Sequence, residues 1–252
     1  MSFEAKNLRP RRPKLIRALI RKDARLLRFY LRSAIATIIA CYLLWAGILV
    51  MSSEYQDAAK QSLTSRTFFT LAVGSIYGIG ITGFFAALLA GSVFTLERSD
   101  RSAEFLACLP PTRLQNLVSK LTVVLGATTA MLALPIISSA VANQMFPYVQ
   151  VAPGQGNILF GTLEWLTSVA IIVSIIGGAF AVSAWLKSNG VPMLAGLLTP
   201  LLILSFVSLM GWLLDIPSEG NAFQIRYITS SFVLGVAFAY MGCYWYLTRS
   251  DP

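Results

Sequence analysis

The chain has 252 residues, 56 % of them hydrophobic and 12 % charged, with a formal net charge of +9 and no histidine. The absence of histidine excludes HExxH zinc sites, Ser-His-Asp triads and Cys-His dyads. No GxxxxGK[ST] stretch is present, so a P-loop nucleotide site is excluded as well.

Residues Met1–Pro13 read as a basic, proline-containing tail drawn towards a membrane surface. From Lys14 a pattern sets in. Lys14, Arg17, Arg21, Arg25, Arg28 and Arg32 recur at helical spacing and stack on one face, while Ile16, Leu19, Ile20, Leu27 and Leu31 lie largely off it. Such a helix is expected to lie in the headgroup plane, apolar side down and cations towards phosphates. The bland alternative is a plain extension of the following span. A bend is expected near Ser33, although no Gly or Pro marks it.

Six stretches free of Asp, Glu, Lys and Arg follow: Ser33–Ser53, Thr67–Leu96, Leu121–Leu163, Trp165–Leu186, Ser188–Leu214 and Tyr227–Thr248. About 20 apolar residues in a helix cross a hydrocarbon core about 30 Å thick. Runs this uniformly apolar predict helices, since barrel strands alternate. The fold class expected is therefore all-α, with six transmembrane helices in a single domain, 1–252. In span 2, Gly74 and Gly78 form a small-xxx-small pair that suits either packing within the chain or a dimer contact. Pro135 and Pro200 fall inside spans 3 and 5, and Pro192 suits the start of span 5. Tyr244, Trp245 and Tyr246 at the end of span 6 suit a headgroup interface.

Six spans send alternate connections to opposite sides. One side collects 17 of the 20 basic residues, and only Lys60, Arg66 and Arg226 fall on the other. The positive-inside rule then places both termini in the cytosol, in the inner (cytoplasmic) membrane. This asymmetry accounts for the high charge without a nucleic-acid partner. Cys41, Cys108 and Cys243 lack metal or disulfide spacing and read as free thiols. Glu164, the one acid that could fall in an apolar stretch, reads as interfacial beside Trp165. The lack of mid-membrane ionisable groups argues against an ion-coupled carrier.

The connection Leu96–Lys120 is the chemically specific segment. Glu97 and Arg101 form an i,i+4 pair, and Phe105, Leu106 and Leu109 make an apolar patch beside Arg98, Arg101 and Glu104. Pro110–Pro111 ends that helix, and Thr112 with Gln115 has capping-box spacing for the next one. Helix, hard stop and capped helix make a short lever tied to two spans.

In Glu97, Arg98, Glu104, Phe105, Leu106, Leu109, Pro110, Arg113 and Lys120 this segment resembles the first cytosolic loop of ABC-2-type transporter permeases. Residues 14–32 resemble that family's interfacial elbow helix. The resemblance implies the membrane subunit of an ATP-driven exporter with no catalytic residue, no metal site and no cofactor of its own. ATP and Mg would sit on a separate cytosolic ABC ATPase subunit. That subunit would dock on a coupling helix, 97–109, through Glu97, Arg98, Arg101, Glu104, Phe105, Leu106 and Leu109, with a second contact at Lys187. A second permease copy or paralogue, a homodimer being the simpler expectation, would complete the pathway among membrane lipids. The alternative of another class is a membrane scaffold or assembly factor that docks a cytosolic partner and moves nothing.

Overall fold

The computed structural model describes residues 12–51, 63–94, 112–145, 161–186, 190–214 and 220–248. These form six helices: α1 (Arg12–Met51), α2 (Leu63–Ser92), α3 (Arg113–Met145), α4 (Thr162–Trp185), α5 (Gly190–Leu213) and α6 (Gly220–Thr248). All six are long and apolar enough to cross a membrane, and the protein is a multi-pass helical membrane protein. The expected coupling helix, 97–109, and Lys187 lie outside the described residues.

The helices alternate in direction, and contacts at one end of the bundle establish it. Ser119 near the start of α3 meets Asp23 in the first half of α1. Ser183 near the end of α4 donates to the Ala90 carbonyl near the end of α2 at 3.1 Å. Trp185 ends α4 against Trp245 near the end of α6. Helix α2 is central and packs on α1, α3, α4 and α5, whereas α1 rests mainly on α2 and α3. The main core lies along these contacts, with Leu89, Val124, Met131 and Phe180 nearly inaccessible.

Residues 14–32 and span 1 are one uninterrupted helix, with Ser33 helical and its carbonyl accepting from Thr37 Oγ1 at 2.8 Å. The expected bend is therefore replaced by a continuous 40-residue helix, about 60 Å long at 1.5 Å per residue. The physical reason lies on its apolar side. Leu19 and Leu27 are buried in the protein, and Ile20 and Leu31 pack against the main core. That side is held by other helices of the same chain, which keeps the first half of α1 in line with the second.

Close approach of backbones sets the positions of α4, α5 and α6. A Cβ on Gly177 would collide with the Gly235 carbonyl, and one on Gly235 would lie 2.9 Å from Ser174 Cα. A Cβ on Gly242 would lie 2.9 Å from Ala181 Cα. Small residues on both helices thus let α4 and α6 meet backbone to backbone, which maximises dispersion contact where lipid tails offer no hydrophobic drive. The next residue, Gly178, faces α5 instead, and its Cβ would collide with Thr199 Oγ1. Gly74 and Gly78, left open between packing and dimerisation, are occupied within the chain: Gly74 receives the Tyr42 ring and Gly78 receives Pro135, 2.9 Å from a Cβ built there.

Both prolines are helical and buried. Each deprives a carbonyl one turn earlier of its donor, and polar side chains gather nearby. Ser138 bonds the Pro135 carbonyl at 3.0 Å and also Tyr42 Oη, while Tyr227 Oη donates to the Pro200 carbonyl at 3.3 Å.

Candidate functional site: the cationic end of the bundle

Helix α3 opens as its sequence requires. Thr112 Oγ1 accepts from the Gln115 amide at 3.3 Å, and Gln115 Oε1 accepts from the Thr112 amide at 3.1 Å. This reciprocal capping box satisfies two backbone donors that a helix start leaves orphaned. Replacing Thr112 by alanine is expected to cost about 1 kcal/mol. Hydrogen exchange should show it as faster exchange confined to residues 112–118.

The first turns of α3 then grip three other helices in succession. Asn116 Nδ2 donates to Tyr246 Oη of α6 at 3.0 Å. Ser119 Oγ donates to Asp23 Oδ2 of α1 at 2.6 Å. Lys120 Nζ donates to the Val93 carbonyl just past the end of α2 at 2.9 Å and stands 5.5 Å from the Phe94 ring centre. Phe94 in turn stacks on Tyr246 and packs against Phe180 of α4. A cation at a helix C-terminus offsets the partial negative charge of the unsatisfied carbonyls, and a cation about 6 Å or less from an aromatic face gains further attraction.

This hub is dry. Asp23 is 3 % exposed, Ser119 0 % and Lys120 1 %. Buried charges of this kind need partners to be tolerated, and here the partners are supplied: Asp23 has the Ser119 hydroxyl and Lys22 at 3.5 Å. Helix α5 joins from the other side, where Gly91 of α2 lies so close that a Cβ would sit 3.0 Å from the Met193 amide nitrogen. All six helices therefore converge at the end where the cations collect.

The structure places the sequence-predicted residues in different surroundings. Arg17, Arg21, Arg25, Arg28 and Arg32 are exposed on one side of α1, opposite Leu19, Asp23 and Leu27. Lys14 is helical. Glu97, Arg98, Arg101, Glu104, Phe105, Leu106, Leu109 and Lys187 lie outside the described residues. Arg113 and Lys120, which carried only motif weight, sit in the first turns of α3, and Lys120 is the hub's centre. At the opposite end of the bundle, Glu164 is exposed in the first turn of α4, a favourable place for an acid beside a helix N-terminus. Tyr244 and Trp245 are exposed, while Tyr246 is drawn into the hub.

Asp23 is the functional-site candidate that sequence reasoning passed over, and a signal was present. It is the one acid between Lys14 and Arg32, and it stands four residues from both Leu19 and Leu27. An acid in register with the apolar positions of an amphipathic helix points inwards, where it must be met by a donor. Comparison of the chain with protein-family models, with curated proteins and with solved structures finds no significant match.

Proposed function

We propose that this chain is the permease subunit of an ATP-driven ABC exporter, worked by a separate cytosolic ATPase subunit. The observation that carries the reading is the start of α3: the reciprocal Thr112–Gln115 cap lies directly after Pro110–Pro111 and leads into the buried hub. A lever can pass a displacement into a membrane only if its far end is anchored, and this junction supplies an anchor. The residues 97–109 are then the coupling helix, docking the ATPase through the Phe105–Leu106–Leu109 patch and the charges around it.

The hub end faces the cytosol in this reading, in the inner (cytoplasmic) membrane. Among the described residues that end carries Arg12, Lys14, Arg17, Arg21, Lys22, Arg25, Arg28, Arg32, Arg113 and Lys120, against Arg66 and Arg226 at the other, which is the asymmetry of a positive-inside protein. The arginine stripe meets anionic headgroups where α1 leaves the hydrocarbon, each cation contributing about 1 kcal/mol near the surface. A second copy of the chain completes the translocation pathway.

Purification of the full chain from its native membrane should bring down an ATPase that has a P-loop. The double substitution Glu104→Ala with Phe105→Ala should leave the six helices folded and weaken ATPase binding about tenfold or more, as loss of a central anchor does. ATP hydrolysis should then no longer drive transport. Unchanged binding together with unchanged transport per ATP would remove the reading. Recovery of a partner without a P-loop would favour a scaffold.

A further inference from the structure

Ser119 and Lys120 are consecutive on α3 and hold two different helices, one by a bond to α1 and the other by a bond to the end of α2. Helices α2 and α3 bracket residues 95–111. Lys120 is thus a direct tie between the two ends of that connection, and Ser119–Asp23 fastens the tie to a third helix. Packing does not require this chemistry. Methionine would fill the same volume, but it would leave the Val93 carbonyl without the charged donor that now meets it. A buried charged bond differs in being directional: it is made or it is broken, with little between.

We propose that Ser119–Lys120 is a two-sided latch that locks the end of α2, the start of α3 and the first half of α1 into one body. A displacement applied at residues 95–111 then moves the three helices together instead of being absorbed by bending at either end. Lys120, Ser119 and Asp23 are positioning residues in this scheme. The source of the displacement rests on the permease reading; the latch itself does not.

The test uses the full chain in lipid nanodiscs and hydrogen exchange followed segment by segment. Lys120→Met should speed exchange about tenfold or more in residues 86–94 and 112–120, as expected for losing a hydrogen bond to a charged group, and leave residues 19–27 close to the parent. Ser119→Ala, a change too small to prevent folding, should speed 19–27 and 112–120 and leave 86–94 unchanged. This crossed pattern is the signature of a two-sided latch. Equal loosening of all three segments by both variants, or no selective effect of Ser119→Ala, would overturn it. With the ATPase bound, Lys120→Met should also lower transport per ATP about fivefold or more at unchanged ATPase affinity. Parental transport per ATP in a variant whose exchange has loosened would equally overturn the proposal. Should the parent chain recover no ATPase at all, the permease reading fails while the crossed exchange pattern still decides the latch.

Discussion

Gly177→Ala is expected to be the most damaging glycine-to-alanine change among the described residues. The new Cβ would meet the Gly235 carbonyl, with the Gly235 carbonyl carbon at 2.8 Å and Cα at 3.0 Å. These are backbone atoms, so no rotamer change relieves the clash and α4 and α6 must separate. Overpacking of this sort costs about 3 kcal/mol when neighbours cannot yield. The effect spreads because α4 also packs on α5 through Gly178 and on α2 through Ser183. Titration of the purified chain from mild detergent into SDS should show the loss as an earlier unfolding midpoint. Gly80→Ala is the matched control. Nothing lies within 4 Å of a Cβ there, and alanine is the better helix former by about 1 kcal/mol, so stability should hold or rise. Equal behaviour of the two variants would mean that α4 and α6 do not touch through their glycines.

Phe94→Ala is the second large effect expected. The ring is 2 % exposed and touches Phe180, Tyr246 and the Lys120 ammonium. Truncating a buried aromatic costs about 3–5 kcal/mol through lost transfer energy and the cavity left behind. The loss should centre on one end of the bundle, because the ring joins the end of α2 to α4, α6 and the start of α3. Phe29→Ala is the control: Phe29 is 75 % exposed, and its removal should change stability by about 0.5 kcal/mol or less. Thermal unfolding followed by size-exclusion chromatography separates the two cases, and a mild Phe94→Ala phenotype would contradict the packing described.

Several local features were legible because their causes are local. The Thr112–Gln115 box needs only a threonine and a glutamine three residues apart at a helix start, and it forms as written. The arginine stripe follows from helical spacing alone, and its five described members are exposed together. The outcome of the apolar side of α1 was not legible. An amphipathic pattern states that one side leaves water, without stating whether a bilayer or another helix receives it. Leu19 and Leu27 are received by the bundle, which converts an expected bend at Ser33 into a continuous helix.

The same limit applied to Gly74 and Gly78, where spacing licensed close approach and left the approaching group open. Tyr42 and Pro135 fill those places, from helices that lie next to α2 only once the bundle has formed. The pair at Gly177 and Gly235 lies 58 positions apart, and nothing local to either glycine names the other.

Six apolar stretches long enough for a bilayer, separated by short polar connections, determined by themselves that the chain is an all-helical, multi-pass membrane protein. Lipid leaves the backbone no other way to satisfy its polar groups. The unequal division of cations between the two sides was likewise written in the order of residues. Only the tertiary structure decided which helices touch, and that Asp23, Ser119 and Lys120, from opposite ends of a 98-residue stretch, share one buried site. Charge and hydropathy determine whether a residue leaves water; the partner it finds there depends on which backbones can approach closely enough to meet.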